Sequence, residues 1–381
     1  MNLSTLQQLA HQFVVNAVGV KPGENIWLEF RGPKAKVIAD ACAATVEAID
    51  AHPFLIDTGA ASINTTVEPL SAEGIAALGE RKLVQMKTMQ GYIRVDDDAD
   101  QAKITLRPEQ MALYKKALQP MTDYRVNHTR WLVTAAPTEE FAAACGMTFA
   151  AFEAFYRDVC LVDYGKMTTA VKPLEKLMTE GKKVRIFSPA QDTDLSFSIE
   201  GIPAIPCTGT LNIPDGECFT APVRNSINGA IRFGPSSYDG QKFAFIRLTF
   251  RDGRIEQAEA ENPERTARLN QMLDTDPGAR YTGEFSINFN PFIRHPTGSI
   301  LFDEKIDGGI HMAMGNCYDE APNGNKSSVH WDMVHIQRSD YGGGELYIDD
   351  RLIRKDGIFV VPELLALNPE NLKAVGGNEG V

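Results

Sequence analysis

The sequence lacks the motifs by which several large enzyme classes are recognised. It contains no HExxH run for a helix-borne zinc protease and no GxSxG turn for a serine hydrolase. No GxGxxG follows the first predicted strand, and a dinucleotide needs those glycines for close approach to the backbone. We therefore assign no dinucleotide, and any enzymatic chemistry must come from residues that are dispersed along the chain.

Excess positive charge and long apolar runs are also missing. The 381 residues carry a formal net charge of −12, with a pI near 5.2. Nucleic acids and anionic membranes bind surfaces rich in Lys and Arg, so neither is an expected partner. No window approaches the roughly 18 consecutive apolar residues of a membrane span. The first 20 residues predict an amphipathic helix and not a signal peptide, so we expect a cytoplasmic protein.

Cysteine is sparse and scattered. The six positions form no CxxC pair and show no disulfide-framework spacing, which in a chain of this length predicts reduced, mostly buried thiols. They are Cys42, Cys145, Cys160, Cys207, Cys218 and Cys317.

The first half of the chain alternates predicted strands with predicted helices. Strands are expected over 25–30, 53–56 and 130–134, and an alanine-rich helix over about 34–50. Such alternation predicts a parallel sheet covered by helices. We expect a Rossmann-like α/β domain over residues 1–183, ending at a polar, glycine-containing stretch.

After residue 183 the pattern changes to short strands joined by close turns. Strands are predicted over 184–187, 195–199 and 243–250, the last followed by a hairpin turn at 251–254. One helix is expected near 263–274. With 43% hydrophobic residues, the chain can form a second core, and we expect a β-rich α+β domain over 184–381.

His330 and Asp332 lie two residues apart in a predicted strand. Successive strand side chains point to opposite faces, so these two project from the same face. An imidazole and a carboxylate on one face are suited to binding a metal, although a hydrogen-bonded histidine beside an exposed aspartate explains the pair equally simply.

Four further residues have contexts that suit a metal site. Glu217 follows a rigid Pro-Asp-Gly turn, and Glu284 lies within a predicted half-buried strand where its charge needs a partner. His311 and Tyr318 flank a segment that the pattern does not assign. Each residue alone also has an ordinary structural explanation, so pattern by itself leaves the function open.

Several stretches resemble the aminopeptidase T family of co-catalytic metallo-aminopeptidases, and the resemblance covers most of the chain. The stretches with the clearest similarity are 130–134, 137–138, 212–217, 221–224, 273–280, 283–284, 301–305, 329–332 and 341–345.

The resemblance implies a complete set of metal ligands, all within the second predicted domain. Carried over one at a time, these fall on Glu217, Glu284, His311, Tyr318, His330 and Asp332. The implied cofactor is a pair of divalent ions, Zn²⁺, Co²⁺ or Mn²⁺, that activates a water.

The implied activity is release of N-terminal residues from peptides with a free N-terminus. Glu284 is then expected to handle a proton and Tyr318 to stabilise the developing oxyanion. The resemblance, with the need to keep an intracellular peptidase site away from folded proteins, also predicts a homodimer with an enclosed interior.

Two other classes of function remain open at this point. Mononuclear iron dioxygenases that open a dihydroxypyridine ring resemble the same fold, and His311, His330 and Asp332 would supply their ligand triad. Glu217 and Glu284 count against that alternative because a mononuclear site has no use for them. A binding protein without activity is the third possibility, and the intact ligand set disfavours it.

Overall fold

The structure, a computed structural model, describes residues 1–373, which form two compact units. One unit contains Met1–Leu161 with Gly209–Ile213, and the other contains Val162–Thr208 with the chain from Pro214 onward. The division after Leu161 precedes the boundary expected at 183, because the helix Tyr164–Glu180 packs against strands of the second unit.

A four-stranded parallel sheet forms the centre of the first unit, in the order β2-β1-β3-β4. Its strands are β1 (Asn25–Phe30), β2 (His52–Asp57), β3 (Gly91–Asp96) and β4 (Arg130–Ala135). Its helices are α1 (Leu3–His11), α2 (Pro33–Glu47), α3 (Ala60–Thr66), α4 (Ala72–Met86), α5 (Asp98–Gln101), α6 (Pro108–His128), α7 (Glu139–Ala144) and α8 (Phe149–Cys160), with a π-helical turn at Gln12–Ala17.

The predicted Rossmann-like alternation is confirmed, with one strand added. Trp27 and Tyr92 of the sheet pack against Met86 and Met89, at the end of α4 and just after it, and against Met121 of α6. This contact covers one face of the sheet with helices, as parallel strands require. The sequence pattern did not predict β3, whose alternate residues Arg94 and Asp96 are charged.

The second unit is rich in antiparallel strands, as predicted. Its strands are β5 (Lys183–Ser188), β6 (Thr193–Ser198), β7 (Ile205–Cys207), β8 (Glu217–Thr220), β9 (Asn228–Phe233), β10 (Ser236–Tyr238), β11 (Gln241–Phe243), β12 (Ile246–Arg251), β13 (Arg254–Ala260), β14 (Thr282–Asn288), β15 (Gly309–Gly315), β16 (His330–Ile336), β17 (Glu345–Ile348), β18 (Arg351–Lys355) and β19 (Ile358–Phe359). Its α-helices are α9 (Tyr164–Glu180), α10 (Pro263–Leu273), α11 (Ile300–Asp303) and α12 (Pro369–Lys373), and 3-10 turns cover Pro189–Gln191, Ser339–Tyr341 and Pro362–Leu367.

Two larger sheets and one hairpin organise the strands described in the second unit. The larger sheet has the order β13-β12-β9-β6-β5-β17-β18-β19, and the other has the order β16-β15-β14-β8-β7, beside the hairpin β10-β11. The predicted turn at 251–254 joins β12 to β13, with Asp252 and Gly253 in left-handed conformations that suit a tight hairpin. Within residues 1–373, no helix is long and apolar enough to cross a membrane.

Candidate metal centre

One face of the sheet β16-β15-β14-β8-β7 gathers five of the six residues that the sequence singled out. Glu284 of β14 lies opposite Ala313 of β15, which in turn lies opposite Asp332 of β16. The methyl group of Ala313 leaves space between the two carboxylates. The same alternation brings to this face Glu217, Glu284, His311, His330 and Asp332.

Glu284 lies between the two histidines and uses a different oxygen toward each. Its Oε1 is 3.4 Å from His311 Nε2, and its Oε2 is 3.4 Å from His330 Nε2. Glu217 Oε2 lies 3.5 Å from His311 Nε2, and Asp332 Oδ1 lies 3.4 Å from His330 Nε2. The donors thus form two adjacent groups of three, Glu217-Glu284-His311 and Glu284-His330-Asp332, which share one carboxylate.

Hydrogen bonds to the far side of each ring fix the orientation of both histidines. His311 Nδ1 lies 3.0 Å from the Glu304 carbonyl oxygen and 3.1 Å from Asn288 Oδ1. His330 Nδ1 lies 3.0 Å from the Asn316 carbonyl oxygen. A carbonyl oxygen can only accept, so each Nδ1 carries the donated proton and each Nε2 faces the carboxylates. This arrangement is typical of metal-binding histidines.

The polar atoms of the cluster fit a divalent cation. Among the described residues, His330 Nε2 and Asp332 Oδ1 are buried and have no hydrogen-bond partner, although they lie 3.4 Å apart. An unsatisfied buried polar atom costs about 1–3 kcal/mol, so native proteins rarely leave two together. Imidazole nitrogens and carboxylate oxygens are the donor types that Zn²⁺ and similar ions prefer, and an ion here would satisfy both atoms.

The charges of the cluster lead to the same conclusion. Burial lowers the pKa of His330, but the Asp332 and Glu284 carboxylates outweigh this and raise it to about 12. Burial likewise opposes the charged form of His311, and Glu217 and Glu284 raise its pKa to about 9. Burial raises the pKa of Glu284, yet the neighbouring imidazoles of His311 and His330 outweigh this and lower it to about 2. The carboxylates therefore hold protons on the histidines unless another cation supplies that positive charge.

Tyr318 lies beside the cluster and contacts it through its ring. The ring centroid is 4.8 Å from that of His330 and 5.6 Å from that of Phe219. Although 44% of the residue is exposed, partial burial and the charges of Glu284 and Asp332 raise the pKa of the hydroxyl. The phenol is therefore neutral and can donate a hydrogen bond.

Two residues of the site were missed by the sequence interpretation. Glu304, just after α11, offers a carboxylate oxygen that forms a third group with His311 and Asp332. Burial raises its pKa to about 7, with Lys305 opposing and Glu217 reinforcing the effect. The other missed residue is Lys305. Glu304 and Lys305 both belong to the stretch 301–305 that carries the family resemblance, but a short helix gives no periodic signal from which their roles could be inferred.

Lys305 places a fixed positive charge under the carboxylates. Only 1% of it is exposed; its ammonium group contacts Glu217 and lies 3.0 Å from Glu304 Oε1 and 3.6 Å from Asp215 Oδ1. Burial lowers the pKa of this amine, but the neighbouring carboxylates raise it well above its ordinary value. Lys305 is consequently charged, and it holds Glu217 in place through Oε1 while Oε2 faces His311.

His335 lies outside the cluster because it points to the face of β16 opposite that of His330. Its Nδ1 lies 2.7 Å from the Arg232 carbonyl oxygen and its Nε2 lies 3.0 Å from Ser188 Oγ. Burial lowers its pKa to about 4, so this ring is a neutral part of the core.

Comparison with known families identifies the chain. The pattern of the family described as "Thermophilic metalloprotease (M29)" matches residues 3–357. The chain belongs to the M29 metalloprotease family. The resemblance to the aminopeptidase T family inferred from the sequence is thereby confirmed, and membership implies divalent metal ions.

Two relatives show the extent of the similarity. Aminopeptidase 2 of Geobacillus stearothermophilus is 32% identical to this M29 protein over 163 residues, which cover 38% of this chain and 37% of that protein. Aminopeptidase T of Thermus thermophilus is 33% identical over 156 residues, which cover 36% of this chain and 37% of that protein. The matched segments thus span little more than a third of either relative.

Two solved structures share the fold over nearly the whole chain. "Wild-type AmpT from Thermus thermophilus" superposes with a TM-score of 0.74 at 20% identity, covering 94% of this chain and 99% of that one. A 2,5-dihydroxypyridine dioxygenase from Pseudomonas putida superposes with a TM-score of 0.62 at 16% identity, covering 96% and 99%. At these identities the superpositions describe the fold alone, and the mixed α/β and β-rich fold class is confirmed.

A β-bulge at Gly283 directs Glu284 toward the cluster of carboxylates and histidines in the M29 protein. Thr282 lies opposite Met314 while Glu284 lies opposite Ala313, so Gly283 is the extra residue. The two residues flanking Gly283 consequently point to opposite faces of the sheet, and bulges commonly redirect side chains in this way. A methyl group on Gly283 would lie 2.1 Å from the Asn316 carbonyl oxygen, a distance that the backbone cannot accept.

We expect Gly283→Ala to damage both the fold and the site. Relief of the clash must move β14 away from Asn316, which should lower the free energy of unfolding by about 1–3 kcal/mol and reduce bound metal. Thermal melting and elemental analysis measure the two effects. Gly165→Ala in α9 is the matched control, because its new methyl group meets Asp163 Oδ1 at an ordinary 3.4 Å. Wild-type stability and metal content in Gly283→Ala would contradict the role of the bulge.

Proposed function

We propose that this M29 protein is an aminopeptidase that hydrolyses the first bond of peptides with a free N-terminus at a two-metal site. The observation that carries the proposal is the shared carboxylate of Glu284, whose two oxygens face two separate histidines 3.4 Å away. Two adjacent donor groups with a common bridge suit two ions, whereas one ion would use only part of the set.

The proposed ligands divide between the two ions. Glu217 and His311 would hold one ion, His330 and Asp332 would hold the other, and Glu284 has one carboxylate oxygen facing each group. Nitrogen and oxygen donors without thiolate suit Zn²⁺, Co²⁺ or Mn²⁺. When bound, such ions lower the pKa of a coordinated water and offset negative charge that develops on the scissile carbonyl.

Glu304 is the residue that we propose to move protons during hydrolysis. A carboxyl group with a pKa near 7 can accept a proton from water and return it to the departing amine at neutral pH. Glu284, for which the family resemblance implied this role, suits it less because its pKa is lowered to about 2. Lys305, 3.0 Å from Glu304, stabilises the ionised form after the proton has left.

Tyr318 is proposed as the group that stabilises the oxyanion, or as a weak additional ligand. Its neutral hydroxyl can donate a hydrogen bond, and its exposed ring beside His330 is accessible to a peptide. A phenol with a raised pKa binds a metal only if the ion displaces its proton, which favours the hydrogen-bonding role.

A ring-cleaving dioxygenase is the second candidate, because that enzyme class shares the fold. It would need His311, His330 and Asp332 around a single iron ion. Among the described residues, however, His311 and His330 fall into different donor groups, and Glu284 lies near both. The arrangement supports the peptidase more strongly.

An anaerobic hydrolysis assay separates the two candidates. We expect a leucyl or alanyl anilide to be cleaved equally well with and without oxygen. Activity should vanish with a chelator and return with Zn²⁺, Co²⁺ or Mn²⁺, because hydrolysis needs no electron transfer. Oxygen consumption with a hydroxylated pyridine and Fe²⁺, without cleavage of any peptide substrate, would refute the aminopeptidase proposal.

Replacing Glu217 or Glu284 by glutamine should reduce the number of bound ions, and the number lost should differ between the two variants if Glu284 serves both ions. An amide is a poor ligand for these ions. Loss of a residue that only supports a ligand already lowers metal affinity or activity about 10–100-fold. We therefore expect activity to fall at least 100-fold in Glu217→Gln and Glu284→Gln. Elemental analysis should give about one ion per chain for Glu217→Gln and fewer for Glu284→Gln.

Glu200→Gln provides the control for both variants, because Glu200 is exposed and, within residues 1–373, forms its ion pair with Lys182 on the surface. It should retain full activity and metal content. Two ions and wild-type turnover in either test variant would show that the ligands are misassigned.

We also propose a cytoplasmic homodimer, in line with the family resemblance and the scattered cysteines. A closed assembly would restrict access to flexible peptides and so protect folded proteins from cleavage. Light scattering at working concentration should give twice the chain mass of 41.9 kDa. A mass of one chain would refute this part of the proposal.

A further inference from the structure

The first compact unit contains a cavity of about 440 Å³ that the proposed peptidase chemistry does not use. It lies between the sheet and the helices α4 and α6, and every residue that lines it belongs to this unit. One carboxylate, Glu29, lines it together with five cationic side chains, which are Arg31, Lys82, Arg94, Lys115 and Arg125. A positive cavity is unexpected in a chain whose net charge is −12.

Part of the charged lining comes from the sheet itself. Glu29 and Arg31 alternate with apolar residues along and just beyond β1, and Tyr92 and Arg94 do so in β3. Glu29 lies directly opposite Arg94, so these side chains share one face. Parallel strands covered by helices are normally apolar on both faces, so charged side chains on this covered face are unusual.

The topology places the cavity where α/β sheets commonly bind ligands. β1 lies between β2 and β3. The connection from β1 leads to β2 on one side, and the chain then crosses back to form β3 on the other side, so the direction of the strand order reverses at β1. The crevice at such a switch point, beyond the carboxyl ends of the strands, is the usual binding position in open sheets. Glu29, Arg31 and Arg94 line the cavity near these ends of β1 and β3.

Glu29 is already saturated and does not compensate the remaining cations. Its Oε1 accepts from Thr58 at 2.9 Å and from Arg31 at 3.4 Å. Its Oε2 accepts from the Tyr92 hydroxyl at 3.0 Å and from Trp27 Nε1 at 3.3 Å. These four bonds use the acceptor sites of the carboxylate.

Arg31 and Arg94 have further partners of their own. Arg94 donates to Asp96 at 3.1 Å, and Arg31 Nε lies 3.3 Å from the same carboxylate. Among the described residues, no carboxylate lies within 4 Å of the charged groups of the other three cations, Lys82, Lys115 and Arg125. The uncompensated charge is therefore concentrated on the side of the cavity formed by α4 and α6.

Arg125 is the most unusual of these cations. Only 8% of it is exposed, and its guanidinium lies over the rings of Tyr92 and Trp131, at 4.8 and 4.6 Å from their centroids. Within the described chain, its Nη1 is buried without a hydrogen-bond partner. Contacts with aromatic faces offset only part of the cost of burying a charge, and a buried guanidinium normally has an anionic partner.

We propose that this cavity binds a small organic anion. Its carboxylate or phosphate head group pairs with Arg125, supported by Lys82 and Lys115, and its apolar body packs against Ile104, Met111 and Leu118. The volume lies within the range of small-molecule sites. The planar guanidinium can donate two parallel hydrogen bonds to either head group. The inference stands on the first unit alone and does not depend on the proposed peptidase activity.

Calorimetric titration of the full, metal-loaded protein at low ionic strength tests the proposal. The probes are phenyl phosphate, 3-phenylpropanoate, inorganic phosphate and the uncharged 3-phenylpropanol. We expect saturable binding of at least one aryl anion with a Kd below about 1 mM, a common range for ligands of this size. The tighter of the two aryl anions identifies the preferred head group. Absence of binding by every anion, or equal binding of the alcohol, would overturn the proposal.

Variants locate the site and exclude binding of the probes at the metal centre. Arg125→Gln should weaken binding at least tenfold and Lys82→Gln severalfold, because each removes a charge that faces the anion. Arg81→Gln is the matched control, since Arg81 is the exposed neighbour of Lys82 on α4 and does not line the cavity. It should bind as the wild type does.

Circular dichroism and thermal melting establish whether each variant is folded. If Arg125→Gln fails to fold, Arg125→Lys and Lys82→Gln decide the question, since both keep more of the local packing. Wild-type affinity in the folded variants at positions 82 and 125 would overturn the proposal.

Discussion

The second unit depends on the concentration of negative charge around Glu284. Its two oxygens lie equally close to two histidines, His311 and His330. The carboxylates of Glu217, Glu304 and Asp332 lie near the same two histidines. Carboxylates at such separations repel one another strongly when buried. The arrangement is tolerable because Lys305 supplies one fixed cation and the histidines hold protons or, in the proposed enzyme, metal ions take their place.

The rest of the sheet can be understood as the support for this cluster. Antiparallel pairing fixes the distances between strands, so the candidate ligands on β8, β14, β15 and β16 are held by regular strands. Ala313 leaves room between Glu284 and Asp332, and the bulge at Gly283 points Glu284 to the correct face. Hydrogen bonds that the ring nitrogens donate to backbone carbonyl oxygens and to Asn288 Oδ1 then fix the rings, which makes the geometry pre-organised for a metal.

The first unit shows a related use of buried charge on a different scaffold. There the parallel sheet places Glu29 opposite Arg94 beneath α4 and α6, and the single carboxylate of the lining is saturated by local donors. Among the described residues, Lys82, Lys115 and Arg125 of the lining have no carboxylate partner, and Nη1 of Arg125 is buried without a hydrogen bond. In both units, a sheet face that would ordinarily be apolar carries ionic groups, and in both the unsatisfied atoms point to a ligand of opposite charge.

The sequence by itself determined the alternation that forms the parallel sheet, the change to β-rich structure, and the shared face of His330 and Asp332. These follow from periodicities of two and 3.6 residues, which are local properties. The Pro-Asp-Gly turn similarly located Glu217 at the start of β8. The family resemblance supplied Glu284, His311 and Tyr318, whose local patterns left their roles open.

Only the tertiary structure decided which residues meet. The bulge at Gly283 depends on pairing with a strand about 30 residues away, and the roles of Glu304 and Lys305 depend on a short helix docking beside the sheet. The packing of α9 with the second unit, and of Arg125 over Trp131, likewise arises from contacts between separate elements. Periodicity specifies which face a side chain occupies, but register and docking between distant segments determine what that face contacts.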